Sequence, residues 1–141
     1  MKLILLVLSV MVLSCNSPSE TTTGIQNNST AVEQTTVQSS YTVLSVADFK
    51  TKMESFVGMD FNLVDVRTSG EVVGGSIENA VNIDFNSSNF AEDLAKLDKS
   101  KPLMLFCRSG ARSGGASSTA KELGFTEIYD LQGGFMAWSA Q

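Results

Sequence analysis

Apolar positions fall along the chain in three regimes. Residues 1–14 open with Lys2 and continue as an apolar run from Leu3 to Leu13 that only Ser9 interrupts. Residues 15–40 are polar, with Ile25, Val32 and Val37 scattered at neither strand nor helix spacing. From residue 41 the apolar positions become periodic. Tyr41 to Leu44 predicts a short strand. Ser45 opens Ser-Val-Ala-Asp, a capping-box-like start, and Val46, Phe49, Met53 and Phe56 follow at helical spacing until Gly58. Phe61 to Val66 predicts a second strand, Gly70 to Gly75 a loop or short helix, and Ala80 to Ile83 a third strand. Phe90, Leu94 and Leu97 predict a second helix with Ser87 or Ser88 as its cap. Pro102 precedes the run Leu-Met-Leu-Phe, which reads as a buried strand. After a loop from Arg108 to Ser113, Ala116, Ala120 and Leu123 predict a third, long helix closed by Gly124. Ile128 to Asp130 predicts a fifth strand, and Phe135 to Trp138 a final helical turn.

Strands alternating with helices predict an α/β fold: a five-stranded, mainly parallel sheet with helices on both faces. In open sheets of this kind ligands bind beyond the carboxyl ends of the strands, so the residues after Phe106 hold the most interest. The chain has 141 residues, 43% of them hydrophobic and 18% charged, which is the size and composition of one globular domain. Its net charge of −5 argues against a nucleic-acid partner held through phosphates. It contains no histidine, which removes His-based general bases, Ser-His and Cys-His nucleophile pairs and His-containing metal sites. The two cysteines, Cys15 and Cys107, are too few for a Cys-only metal centre, and no metal or organic cofactor is implied.

The run from Leu3 to Leu13 is about half the roughly 20 residues that a membrane span needs, and it fits the apolar core of a secretory signal. Val12-Leu13-Ser14-Cys15 resembles the lipobox of bacterial lipoproteins. That resemblance implies cleavage after residue 14, lipidation of Cys15 and a place in the cell envelope facing the periplasm or outside. Several acyl chains hold a soluble domain on a membrane where a single chain holds it only marginally. The alternative is a plain secretory signal with Cys15 as a free thiol. Residues 16–40, with 11 Ser or Thr, 6 Asn or Gln and no aromatic residue, read as a disordered tether. Without residues 1–14 the chain carries nine basic and fifteen acidic side chains, a net of −6. With Cys15 lipidated, Cys107 is the only thiol, and no intramolecular disulfide can form. The folded domain is assigned to residues 41–141.

The candidate chemistry sits at Cys107. A cysteine ends a buried strand, and Arg108-Ser109-Gly110-Ala111-Arg112-Ser113 forms a tight loop before a helix. The loop N–H groups can curl into an anion-binding nest, and the helix directs its positive end at the same place. Arg108 and Arg112 add positive charge. Together these favour a thiolate over a thiol, with no histidine required. The plainer alternative is a buried structural cysteine, the commonest fate of a lone one.

The stretch Cys-Arg-Ser-Gly-Ala-Arg-Ser at 107–113 resembles the active-site loop of rhodanese-like sulfurtransferases. Three further segments agree in order: Leu63 to Arg67 (LVDVR), Gly74 to Ile83 (GGSIENAVNI) and Leu131 to Trp138 (LQGGFMAW). The match covers nearly all of 41–138. It implies that Cys107 attacks the outer sulfur of an anionic donor such as thiosulfate and forms a persulfide cradled by residues 108–113. A thiol or cyanide then takes the sulfur, in two-step covalent catalysis. Arg108 and Arg112 would attract and orient the donor. Asp65 and Arg67 read as supporting residues: Asp65 could reach the active-site loop, and Arg67 and Glu71, four apart, could pair. Trp138 and Phe135 read as packing, and Gly133 and Gly134 as a turn. Ser76 stands where the family usually has histidine, and Glu78-Asn79 where it has Pro-Gly.

Three other functions compete. Phosphatases of this fold carry one more residue between cysteine and arginine than the four between Cys107 and Arg112, and the smaller ring suits a sulfur atom. A non-catalytic module that carries persulfide, senses sulfur or docks a partner would use the same cysteine. A thiol–disulfide oxidoreductase would need a resolving cysteine, which residues 41–141 lack. The sequence leaves the physiological donor and acceptor and the oligomeric state open.

Overall fold

The computed structural model describes residues 38–141. The signal sequence assigned to 1–14, Cys15 and the tether as far as residue 37 lie outside the described residues. In chain order the elements are β1 (Ser40–Leu44), α1 (Val46–Ser55), β2 (Asn62–Asp65), α2 (Ser69–Val72), β3 (Val81–Asn82), α3 (Phe90–Ala95), β4 (Leu103–Phe106), α4 (Ala111–Glu122), β5 (Glu127–Leu131) and α5 (Gly134–Ser139). The strands form one sheet in the order β1-β5-β4-β2-β3 with every pairing parallel. The predicted α/β architecture is therefore the observed one.

β4 is the centre of the sheet. All four of its residues are buried, as a strand covered on both faces requires. Its side chains alternate between two cores. Leu103, Leu105 and then Cys107 join Val64, Val66, Leu94, Ala116 and Ala120 beneath α3 and α4. Met104 and Phe106 join Val46, Phe49, Phe56 and Leu131 beneath α1 and α5. Burying each large apolar side chain contributes about 1.5–3 kcal/mol, so both cores fix the height and direction of β4. The strands that follow β2 and β4 lie on opposite sides of that pair. The crevice beyond their carboxyl ends is the switch point of the sheet, where ligands bind in such folds.

Local signals explain most element boundaries. The Ser45 hydroxyl accepts the Asp48 N–H at 3.2 Å and caps α1. That helix stops at Ser55, and Gly58 (φ +85°) turns the chain just beyond it. α3 differs from expectation: its cap position is Asn89, without a side-chain cap hydrogen bond. The Ser87 hydroxyl instead accepts the Asn89 N–H at 3.2 Å, so this serine organises the turn before the helix. α4 also begins earlier than expected, at Ala111, so only Arg108 to Gly110 remain as loop. Gly110, at φ +107°, makes the sharp turn that lets the helix start there.

Candidate active site

Cys107 follows the last residue of β4 and lies on the floor of a cradle, with Arg108 and Ser109 exposed above it. The Gly110 N–H donates to Cys107 Sγ at 3.1 Å, and the Ser113 hydroxyl approaches the sulfur at 3.6 Å. Ser113 is fully buried and also donates to the Gly110 carbonyl at 3.1 Å. The first N–H groups of α4 have no partner within the helix or from a cap side chain, and that of Ser113 acts on the sulfur. Burial pushes the Cys107 thiol up. The Ser113 hydroxyl and the N–H groups of Ser113, Gly110 and Ser109 outweigh that push, and the thiol lies below its ordinary value.

The carbonyl groups of the cradle are turned away from the sulfur and held from behind. Phe135 N–H donates to the Cys107 carbonyl at 2.7 Å, and Met136 N–H to the Arg108 carbonyl at 3.0 Å. This needs the start of α5 pressed against the loop backbone. Gly133 and Gly134, both left-handed at φ +73° and +59°, bring it there. A Cβ on Gly134 would run into the Cys107 carbonyl oxygen and lie 2.6 Å from the Arg108 carbonyl carbon.

The two arginines of the loop differ in their surroundings. Arg112 is clamped by Glu71 in a bidentate pair, with Nη1–Oε2 at 2.8 Å and Nη2–Oε1 at 2.7 Å. Arg112 holds the Glu71 carboxyl down at about 2, and the Thr68 hydroxyl and N–H assist. Glu71 belongs to the capping box of α2, in which Thr68 and Glu71 exchange hydrogen bonds. Arg108 is exposed and forms no ion pair among the described residues. The main support for the thiolate thus comes from the Ser113 hydroxyl and backbone N–H groups rather than from the arginine charges that the sequence suggested. Ala111 and Ser109 contribute backbone, and both side chains face solvent.

Asp65 and Arg67 form a buried pair, Nη2–Oδ2 2.6 Å, with side chains 0% and 4% exposed. Asp65 also accepts the Arg67 N–H at 3.0 Å and the Ser76 hydroxyl at 2.7 Å. Arg67 donates to the Gly75 carbonyl at 2.7 Å, and its guanidinium lies 4.1 Å from the centre of the Phe135 ring. Two expectations are corrected here. Asp65 does not reach the cysteine loop, because Arg67 folds back over it and occupies its oxygens. Arg67 does not pair with the Glu71 side chain, because Asp65 takes the guanidinium and Arg112 takes Glu71. The pair instead fixes the segment that carries α2, and α2 presents Glu71 to Arg112.

Sequence reasoning missed Asp130. It lies in β5 opposite Leu105, is 3% exposed, and accepts the Tyr41 hydroxyl at 2.9 Å. It also missed Asn82, whose side-chain amide donates to the Asp65 and Arg67 carbonyls at 2.8 Å each. The available signal for Asp130 was alternation: it shares a strand face with Ile128, where an apolar residue is the rule. Among the described residues no cluster of three His, Cys, Asp or Glu side chains is placed to hold a metal ion, and no helix is long and apolar enough to cross a membrane.

A parallel α/β sheet whose central strand delivers a cysteine to the start of a helix, with the Gly110 N–H on its sulfur, defines the class of fold and site present here. The chain belongs to the rhodanese-like domain family, which it matches over residues 45–141. It is 36% identical over 76 residues to Thiosulfate sulfurtransferase GlpE of Shewanella oneidensis, covering 54% of this chain and 73% of that one. It is 39% identical over 79 residues to the Uncharacterized protein YqhL of Bacillus subtilis, covering 56% of this chain and 61% of YqhL, so it spans less than two thirds of that relative. A crystal structure of a rhodanese-related protein from Thermoplasma volcanium superposes with a TM-score of 0.61 at 29% identity, covering 71% of this chain and 92% of that one. The described domain is a single rhodanese-like domain related to sulfurtransferases.

Proposed function

We propose that the protein moves a sulfane sulfur from thiosulfate, or a similar small anionic donor, through Cys107 to a thiol or cyanide acceptor. The observation that carries this reading is the Cys107 sulfur held by the Gly110 N–H at 3.1 Å, with Ser113 and the neighbouring N–H groups lowering its proton affinity. The thiolate attacks the outer sulfur of thiosulfate. The donor's S–S bond breaks, sulfite leaves with the bonding pair, and Cys107 carries a persulfide whose terminal sulfur is anionic. The same N–H groups face that charge and stabilise it without rearrangement. Cyanide or a thiolate then attacks the terminal sulfur and returns Cys107 as thiolate. GlpE of Shewanella oneidensis, named as a thiosulfate sulfurtransferase, supports the choice of donor. Exposed Arg108, in no ion pair among the described residues, supplies a cation beside Cys107 for an anionic donor.

The test is intact mass after exposure to thiosulfate. A gain of one sulfur atom is expected, absent in Cys107→Ser, with thiocyanate released on adding cyanide. No gain in mass, or a gain that survives Cys107→Ser, would overturn the reading. A second reading, a persulfide carrier loaded by a protein partner, draws on two observations: Cys107 is 1% exposed, and Glu71 takes the charge of Arg112. Persulfide formation without turnover would favour it.

The apolar run ending in Cys15 supports a lipid-anchored protein of the bacterial envelope, facing the periplasm or outside. Incorporation of labelled fatty acid in cells, lost in Cys15→Ala, is the expected result, and label retained in that variant would refute it.

A further inference from the structure

Strand β3 covers only half of its neighbour. Val64 and Asp65 of β2 pair with Val81 and Asn82, whereas β4 pairs with all four residues of β2 on the other side. Carried back two residues, the β3 register would set Asn79 opposite Asn62. Asn79 instead stands in the left-handed region at φ +63°, and the Ala80 N–H donates to the Ile77 carbonyl at 3.1 Å. A turn therefore lifts the chain off the sheet just before β3. Backbone groups alternate between the two edges of a strand. The Asn62 N–H donates toward β4, to the Pro102 carbonyl at 2.9 Å, while the Asp65 carbonyl faces β3 and accepts the Ile83 N–H at 3.0 Å. The Leu63 N–H thus faces the vacated half of the edge, and no strand among the described residues covers it.

A cavity of about 310 Å³ opens at that place. It wraps the open edge from both faces of the sheet: Met53 and Phe61 belong to the core beneath α1, and Leu97 to the core beneath α3. Its mouth is apolar. Met59 and Val81 line it, and they are 60% and 52% exposed, as at a surface that meets a partner. The charged residues of the lining, Asp60 and Glu78, are both acidic. Lys101 is shared between Asp60 at 3.0 Å and Asp98 at 3.9 Å. Glu78 is exposed and in no ion pair among the described residues. An open strand edge, an apolar cavity astride it and a free carboxylate on the rim therefore coincide.

We propose that this half-edge docks an extended segment of a partner protein in which consecutive apolar residues are flanked by basic ones. The segment adds to β2 where β3 would have continued, and its backbone accepts the Leu63 N–H. Successive side chains of a strand point to opposite faces, so the apolar residues enter the cavity on either side of the sheet. A flanking Lys or Arg meets Glu78. Two other occupants fit worse. A second copy of the chain brings like charge, since the net charge is −5. The chain's own leading residues bring no cation, since no Lys or Arg lies between Lys2 and Lys50. The half-edge is level with Leu103, four residues before Cys107, which is roughly 13 Å along the strand. A docked segment leaves the cradle open, so the proposal goes beyond the sulfur-transfer reading and does not depend on it.

The test titrates the isotope-labelled full chain with the acetylated, amidated peptide Lys-Leu-Val-Lys, and separately with Glu-Leu-Val-Glu, at low ionic strength. The basic peptide is expected to give saturable amide shifts centred on Met59, Leu63 and Val81. At saturation it should slow hydrogen exchange of the Leu63 N–H by roughly tenfold, because that group gains an acceptor. The acidic peptide should do neither. Glu78→Lys should weaken the basic peptide roughly three- to tenfold and leave the thiosulfate-dependent gain in mass at Cys107 unchanged. Met59→Lys, at an exposed position, gives the same comparison should Glu78→Lys not fold. No saturable shift at the half-edge, or equal binding of the two peptides, would overturn the proposal. Saturable shifts with unchanged exchange at Leu63 would overturn it as well, since the occupant would not be paired with β2. Shifts there that grow with protein concentration in the absence of peptide would assign the edge to a second copy and overturn the partner.

Discussion

Gly134→Ala is the sharpest test of how the cradle is held. Gly134 sits at φ +59°, and a Cβ there would meet the Cys107 carbonyl oxygen and lie 2.6 and 2.7 Å from the Arg108 carbonyl carbon and oxygen. These contacts are all backbone, so no flexible side chain can give way. Forcing alanine into a left-handed conformation costs about 1 kcal/mol. Overpacking against fixed atoms adds roughly 1–3 kcal/mol. If α5 moves off to relieve the clash, the hydrogen bonds from Phe135 and Met136 to the loop carbonyls weaken, at about 1 kcal/mol each. The expected loss by either route is roughly 2–4 kcal/mol, a large share of the ~5–15 kcal/mol of a small domain. Urea unfolding followed by the fluorescence of Trp138, the single tryptophan, reads this directly, since Trp138 lies in α5 against Phe49. The alkylation midpoint of Cys107 should also move toward that of an ordinary thiol, because the peptide that faces its N–H groups toward the sulfur is no longer fixed. A loss under about 0.5 kcal/mol with an unchanged midpoint would refute the claim that α5 orients the cradle.

Adjacent glycines in α4 should respond in opposite directions. A Cβ on Gly114 meets nothing within 4 Å, so Gly114→Ala should stabilise the domain by about 0.5–1 kcal/mol, whereas Gly115→Ala would place its Cβ 2.7 Å from the Phe85 ring and should destabilise it, both read by urea midpoint. Asp65→Ala strands the Arg67 guanidinium in a buried site and should cost about 3–5 kcal/mol, and Asp65→Ala/Arg67→Ala should recover part of that in a double-mutant cycle. The Glu71 carboxyl falls from an ordinary 4.5 to about 2 on folding. The Glu71–Arg112 pair therefore contributes stability that is complete above the unfolded value and fades as pH falls toward about 2. Glu71→Gln keeps a capping-box acceptor but should flatten this acid-side loss in pH-dependent unfolding. The same variant releases the charge of Arg112, so its KM for thiosulfate should fall by roughly two- to fivefold at low ionic strength and converge with wild type in high salt.

Local pattern sufficed for the existence of the five strands and for the place of Cys107 at the end of β4. Four apolar residues in a row after Pro102 read as a covered strand, which β4 is, and a cysteine at its carboxyl end falls where parallel sheets place their ligands. Pairings across long separations were not legible. Helical spacing favours Arg67 with Glu71, but Arg67 folds back two residues onto Asp65, and Glu71 is left for Arg112, 41 residues away. Tyr41 and Asp130 are 89 residues apart and become neighbours only because β1 lies beside β5, an order that no local pattern encodes. The boundary of α4 was misplaced for a related reason. Ala111, Arg112 and Ser113 carry no apolar signal, and Gly110 turns the chain into the helix earlier than the apolar stripe begins.

Because every strand runs the same way, the two ends of the sheet are chemically different poles of the domain. β1 begins at Ser40, level with the start of β4, and Cys107 lies beyond the opposite end of β4, roughly 13 Å further along. The carboxyl ends of β4 and β2 and the Cys107 cradle therefore share one pole of the described domain, and the start of β1 marks the other, so a change at the first residues of β1 leaves the cradle more than the length of a strand away.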